Sequence, residues 1–528
     1  MKLLNKFVLI ITLISVTSGA FSNEWFNIKE LGAKNDGTEI VTKIIQGAID
    51  KASENGGGVI YFPPGKYLTG ALHLKSNITL HLDAGALVRF SDNPDDYLPF
   101  VLVRWEGVLM NSFSPLLHAD QVENITIEGR GVFDGQGKKW WDTILGYVAQ
   151  IRKNGDVDSI NEYQKMWMEA NKDIQVSDYY KNTLKRRFFR PPFFQAYKSK
   201  NIRITGVKFM NSPFWTINPI FCDNITIDGI TINNPTSPNT DGINPSSCSN
   251  VHISNCHISV GDDCITIKSG RDAEARQLNV PCQNITITNC TMLNGHGGVV
   301  IGSEMSGSVR KVTISNCVFD GTDRGIRLKS SRERGGIVEE IRVSNIVMKN
   351  IQREAFMFNL MYDRNLPEEP VNEKTPTFRN IHISNITGSE VRQACRMIGI
   401  PEMPVQNISF SDINIDSRLG FDISTAKNIE FHDVTVNAKQ GPAFKVTSSQ
   451  DLVFDNIKTN QPNDKTPVLD IMDCSDSYIY NCFQIVNTDI FLSVSGDHTQ
   501  SLYLWNNQFD KVNTPVQNKS SANSVIQK

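Results

Sequence analysis

Apolar and polar residues alternate in short phrases along most of this chain, and the phrases repeat. A unit of the form Asn-Ile-x-Ile-x-(Gly/Asn/Asp) stands at Asn124, Asn201, Asn224, Asn250 (with Val251), Asn284, Asn380, Asn407 and Asn428. Looser copies begin near Lys311, Glu340, Asp451, Ser477 and Ser501. Apolar positions two apart put one face of each unit into a core, and the closing Gly, Asn or Asp is a turn former. Beyond Asn201 the units recur mostly at intervals from 21 residues (Asn407 to Asn428) to 34 (Asn250 to Asn284). That period matches one turn of three short strands. It predicts an all-β, single-stranded, right-handed parallel β-helix rather than a propeller blade or a sandwich. Equivalent residues of successive coils would then lie about 4.8 Å apart.

Before the repeats, Ile40, Ile44, Ile45, Ala48, Ile49 and Ala52 fall at helical spacing and predict an amphipathic helix from about Thr38 to Ser53, stopped by Asn55-Gly-Gly-Gly58. Strands follow at Val59–Phe62, Leu72–Leu74, Ile78–Leu82 and Leu87–Phe90. The helix reads as a short N-terminal cap, since the open end of a coil stack must cover its apolar face. Residues 135–194 break the rhythm as a long insertion bearing Trp140, Trp141 and Trp167 and ending in a basic run, Lys185-Arg-Arg187 and Arg190. Its aromatics are expected to pack on the stack while the insertion walls one end of a cleft. The β-helix domain is placed at 23–514 and a polar, frayed tail at 515–528.

The first 22 residues have the order of a secretory signal: Lys2 and Lys6, an apolar run Phe7–Val16, then small residues. An exported protein, periplasmic or extracellular, is therefore expected, with no membrane span. A net charge of −3 and a pI near 6.3 argue against a nucleic-acid surface, so cationic work must be local. Ten cysteines could include disulfides in an exported chain. But Cys256, Cys290, Cys317 and Cys482 each follow an Asn at one position of the repeat, which favours a buried ladder of thiols. The Asn-x-Thr triplets at Asn224 and Asn284 likewise read as turn positions rather than glycosylation sites.

Four polar signatures interrupt the apolar phrasing: Asn239-Thr-Asp-Gly242, Gly261-Asp-Asp263, Gly295-His-Gly297 and Arg327-Leu-Lys329. They lie about one coil apart, so Asp241, Asp262, Asp263, His296 and two cations can converge on one face. Three crowded carboxylates cannot all stay ionised cheaply. A protonated carboxyl beside an ionised one is the equipment of glycosidic hydrolysis. Arg327 and Lys329, two apart on a strand, share a face and can take a sugar carboxylate, implying an anionic substrate.

In this order and spacing the signatures resemble those of the polygalacturonases, glycoside hydrolase family 28, whose fourth motif is usually Arg-Ile-Lys. Gly32-Ala-Lys-Asn-Asp-Gly37, Pro63-Pro-Gly65 and Asn211-Ser-Pro-Phe-Trp215 extend the resemblance over most of the chain. Arg104-Trp-Glu-Gly107, Gly302-Ser-Glu-Met-Ser306 and Lys329-Ser-Ser-Arg-Glu-Arg-Gly-Gly336 look like its exo-acting bacterial and plant-type branch. The resemblance implies a pectin-lyase-like solenoid and inverting hydrolysis of α-1,4 galacturonosyl bonds in homogalacturonan. It implies no cofactor or metal, and a monomer is expected. Asp262 matches the general acid, Asp241 and Asp263 the pair that positions and deprotonates water, and His296 the histidine supporting the acid. Asn239, Arg327 and Lys329 match sugar and carboxylate binders, with Lys268, Arg190 and Tyr362 as further binders by exo-type resemblance. A hydrolase of decorated pectin (rhamnogalacturonan or xylogalacturonan), a lyase and a non-catalytic glycan-binding β-helix are the competing expectations.

Overall fold

A computed structural model describes residues 24–157, 159–173, 184–362, 366–520 and 524–527, so the signal reading of residues 1–22 lies outside the described residues. The chain winds as a single-stranded, right-handed parallel β-helix. One coil runs through Phe194–Tyr197, Lys200–Thr205 and Lys208–Met210, and the next through Ile217–Ile220, Asp223–Asp228 and Thr231–Asn233. Each strand pairs in register with its successor, Ile202 with Ile225 and Ile204 with Ile227 among them. The alternation in each unit sends these isoleucines into a continuous core.

The repeated Asn has a backbone reason. Asn124, Asn201, Asn224, Asn250 and Asn284 all sit at φ between 56° and 58°, a left-handed corner that Asn tolerates better than other side chains. Their amides also bond from coil to coil: Asn124 Nδ2 donates to Asn77 Oδ1 at 2.7 Å, Asn201 to Asn124 at 2.9 Å and Asn224 to Asn201 at 2.8 Å. Lys311, Glu340, Asp451 and Ser501 take the same corner at the looser copies; near Ser477 the residue at that corner is Asp476.

The helix α1 spans Thr42–Glu54 and buries Ile45, Ala48, Ile49 and Ala52 on the first coil. Its predicted start is shortened because Asp36–Ile40 forms a strand paired with Gly65–Thr69. Among its described residues the insertion forms the helices α2 (Lys138–Asn154) and α3 (Glu162–Ala170), and buries Trp140, Trp141 and Trp167. The frayed tail is a correction: Val512–Asn518 pairs with Thr488–Ser495, and Val525–Gln527 with Gln500–Trp505. Parallel pairing, Leu492 with Val516 among it, carries the solenoid beyond residue 514.

All ten cysteines are unpaired and buried. Cys256, Cys290 and Cys317 stand in contact in consecutive coils, as the ladder reading expects. Cys482 sits apart in a later coil, and Cys222, Cys248 and Cys282 make a second column that the Asn-Cys pattern did not signal.

One element departs from the parallel stack. Val101–Trp105 and Val108–Ser112 form an antiparallel hairpin that turns at Glu106 and Gly107. Trp105 stacks on Phe214 with ring centroids 4.8 Å apart and donates from Nε1 to the Arg190 carbonyl at 3.1 Å. The hairpin is thus fixed against the coil that leads to Asp241. No helix among the described residues is long and apolar enough to cross a membrane.

Candidate active site

The four signatures meet because they occupy the same edge of consecutive coils. Asp263 opens the strand Asp263–Ile267 and pairs opposite Gly297; Val300 pairs opposite Arg327, and Gly302 opposite Lys329. Ile243, two residues beyond Asp241, bridges Ile265 from the preceding coil. Each of Asp241, Asp262 and Asp263 therefore offers a carboxylate oxygen within 4.8 Å of the others. Such a cluster could hold a cation, but Lys268, Arg327 and Lys329 already stand against it and disfavour a divalent ion.

The three acids differ in environment. Asp263 is buried, with Lys329 Nζ at 2.7 Å from Oδ2 and Arg327 Nη1 at 3.3 Å from Oδ1. Burial alone would raise its carboxyl; Lys329, then Arg327 and Lys268, outweigh burial and hold it well below the usual carboxylate range. Asp241 is equally buried but has no such partner. Burial first, then the charge of Asp262, pushes it well above that range against the pull of Lys268. Asp241 is thus a carboxyl whose surroundings favour its protonated form, whereas the resemblance placed the general acid at Asp262. Asp262 faces the opening, its side chain 19% exposed, and His296 Nδ1 lies 3.2 Å from its Oδ1. That contact, ahead of the opposing effect of burial, raises the His296 imidazole above its ordinary value.

The glycines beside His296 act through packing rather than ligand approach. Gly295 has φ 131°, and a Cβ there would fall 2.5 Å from the Asp262 carbonyl. The same close approach lets the His296 N–H donate to that carbonyl at 2.8 Å. Thr240, fully buried, accepts the Gly261 N–H at 3.2 Å and so ties the first signature to the second.

Asn239, the three acids, His296, Lys268, Arg327, Lys329 and Tyr362 all line one cavity of about 650 Å³. Tyr362 stands with its ring 5.2 Å from both Arg327 and Lys329. Lys268 Nζ is held by Glu304 Oε2 at 2.8 Å and lies 4.6 Å over the ring of Trp215. Burial would raise Glu304, but Lys268, Arg271 and Arg334 bring it down to about 2.

Arg190 is a correction. It is 2% exposed and does not line the cavity. Its guanidinium donates to the carbonyls of Pro213 and Pro238 and, at 2.8 Å, to Asn239 Oδ1. Burial lowers it to about 10. Its place is behind the Asn239 turn, which its terminal nitrogens hold through Pro238 and Asn239 while tying it to Pro213 of the preceding coil.

The cavity also takes Glu106 from the hairpin, Arg187 from the end of the insertion, Trp215, Arg271 and Arg334, together with Asp323, Arg324 and Arg353. Glu106, Trp215, Glu304 and Arg334 stood inside stretches already singled out in the sequence without being named as site residues. Arg271, Asp323, Arg324 and Arg353 carry no motif; only coil register brings them to the opening.

The family model "Glycosyl hydrolases family 28" matches residues 173–429. A second model, "Rhamnogalacturonase A/epimerase, pectate lyase-like", matches residues 25–87. A Vitis vinifera "Probable polygalacturonase" is 30% identical over 400 residues, 74% of each chain. The Dickeya chrysanthemi "Exo-poly-alpha-D-galacturonosidase" is 28% identical over 433 residues, covering 78% of this chain and 70% of its own length. The crystal structure of a hyperthermoactive exopolygalacturonase from Thermotoga maritima superposes with a TM-score of 0.67 at 33% identity. It covers 78% of this chain and 92% of its own.

Proposed function

Since the chain belongs to family 28 of the glycosyl hydrolases, we propose that it hydrolyses the α-1,4 galacturonosyl bonds of homogalacturonan and releases galacturonic acid from chain ends. The observation that carries this reading is the meeting of Asp241, Asp262 and Asp263 with Arg327 and Lys329 in one cavity. Asp262, the acid nearest the opening, protonates the glycosidic oxygen as the C1–O bond breaks. Water attacks C1 from the opposite face and gives its proton to Asp263, the carboxylate that Lys329 and Arg327 keep ionised. Asp241, with a carboxylate oxygen within 4.8 Å of those of Asp262 and Asp263, orients that water. The proton it retains in the free site passes to Asp262 before bond cleavage. Arg327 and Lys329 turn part of their donors from Asp263 to the carboxylate of the bound sugar, beside Tyr362 and Asn239.

End-on attack is supported by the hairpin and the insertion, which bring Glu106 and Arg187 into the cavity lining, and by the exo-acting relatives from Dickeya and Thermotoga. The leader at residues 1–22 supports an exported protein. The rhamnogalacturonase-like match covers residues 25–87, none of which lines the cavity, so it does not favour a decorated substrate.

Product analysis on polygalacturonic acid tests the reading. Monomer is the expected product from the first minutes onward, and a ladder of oligomers at early times would refute end-on attack. Products absorbing as unsaturated uronides would instead assign elimination. Carboxylate oxygens within 4.8 Å of one another stand on the side of the usual separation associated with retaining enzymes. Inversion is nonetheless expected here, because two of the carboxylates share the water. A proton NMR time course should show the first-formed sugar as the β anomer, and α first would overturn the inverting assignment.

A further inference from the structure

Behind the cavity a row of buried amides runs from the hairpin to Asp241. Gln195 and Asn218 are paired residues on neighbouring strands, and Asn244 occupies the next coil. Gln195 Nε2 donates to Asn218 Oδ1 at 2.8 Å, and Asn218 Nδ2 donates to the Asn244 carbonyl at 2.8 Å. Asn244 Nδ2 donates to Asp241 Oδ2 at 2.7 Å. At the far end Gln195 Oε1 accepts the Arg104 N–H at 3.3 Å, and Gln195 Nε2 returns a bond to the Arg104 carbonyl at 3.2 Å. One side chain thereby closes both main-chain groups of the residue two positions before the hairpin's Glu106.

The direction of these bonds is dictated by chemistry. A main-chain N–H can only donate and a carbonyl can only accept, so Gln195 and Asn218 each have one permitted orientation. Each donates an amide hydrogen toward the catalytic side. Asn244 follows suit at a cost: its Oδ1 is buried with no hydrogen-bond partner among the described residues. An unmet buried acceptor is unfavourable, and the opposite orientation would set that oxygen against Asp241. The three amides are at most 1% exposed and none lines the cavity, so none can touch a bound sugar.

We propose that Gln195, Asn218 and Asn244 are positioning residues, a relay that ties the docking of the hairpin wall to the orientation of the Asp241 carboxyl. The proposal rests on the hydrolase reading for its kinetic consequence and on geometry alone for its structural one. The charged groups facing Asp241 are Asp262 and Asp263, which oppose its ionisation, and Lys268 and Lys329, which favour it, with Arg190 further back. Thr266 Oγ1 adds a long contact at 3.4 Å. The Asn244 amide is the short neutral donor in this set and supports the ionised form.

Two variants test the relay. Asn244→Ala removes the donor without adding a titrating group, and Gln195→Met removes the hairpin link at similar length. Asn244→Ala is expected to move the alkaline limb of the kcat/KM profile on digalacturonate, where the free site loses the proton held by Asp241, upward by about one pH unit. It should also lower kcat by about tenfold or more, with KM moved less. Gln195→Met is expected to shift the limb in the same direction by a smaller amount. Melting curves at pH 5 and pH 8 give a readout that needs no substrate: stability should fall more steeply with pH in Asn244→Ala than in the parent. Lower melting temperatures with an unmoved alkaline limb and an unchanged pH slope would reduce the row to packing and overturn the proposal. If the parent turns over no galacturonide, the hydrolase reading fails, and the melting comparison still decides the relay.

Discussion

Replacing Asp262 by Asn is expected to lower kcat on polygalacturonic acid by about 10³-fold or more while the protein still binds galacturonate oligomers. Asn preserves the shape and the contact with His296, which stands 3.2 Å from Oδ1. It cannot transfer a proton to the leaving oxygen, and a positioned acid contributes on the order of 10²–10⁴ in rate. Initial rates on the polymer, with binding of trigalacturonate measured calorimetrically, separate the two effects. A variant that keeps more than a tenth of the parent kcat would remove Asp262 from the acid role. Equal turnover by parent and variant, with binding intact, would instead favour a glycan-binding protein.

The second large effect is a pair of opposite signs. Asp241→Asn and Asp263→Asn are both expected to abolish turnover, yet the first should raise stability at pH 7 and the second should lower it. Asp241 is held above its unfolded value by burial and by Asp262. From about pH 4 upward the folded chain therefore binds the proton more tightly than the unfolded chain, and stability falls as pH rises through that window. Asn removes that cost. Asp263 is the reverse case: Lys329 and Arg327 depress it below its unfolded value. Its contribution is present above about pH 4 and is lost as the pH falls through its folded value. Asp263→Asn leaves two buried cations without their carboxylate, which costs on the order of 3 kcal/mol. Denaturant unfolding at pH 7 reads both. The same sign for the two variants would mean that the assigned charge states are wrong.

The solenoid was legible because its rule is local. A left-handed Asn followed by alternating isoleucines is written out in each unit, so coils could be marked without knowing what they touch. The four signatures were legible for the same reason, since each is short and the coil places it. Arg190 was misjudged because a guanidinium near a site by sequence can serve the turn behind it as well as the ligand in front, and only burial distinguishes the two. The hairpin at Val101–Ser112 lies outside the repeat, so periodicity gave no warning of it. Gln195, Asn218 and Asn244 look like ordinary polar residues in apolar strands. Their separations of 23 and 26 residues reflect loop lengths, and their adjacency exists only in the register of the coils.

The columns of buried thiols bear on how the molecule comes apart. Burial holds Cys248, Cys264 and Cys395 well above the ordinary thiol value, and the thiolate is the form that alkylating reagents attack. All ten thiols are buried, so each is shielded from such a reagent while its own coil is wound. Cysteines occur from Cys222 in the coil before Asp241 to Cys482 near the last strands, densely as far as Cys317 and more sparsely beyond, so they sample much of the axis. The order in which they become reactive records where along the axis unwinding begins and in which direction it spreads, with no label added to the chain.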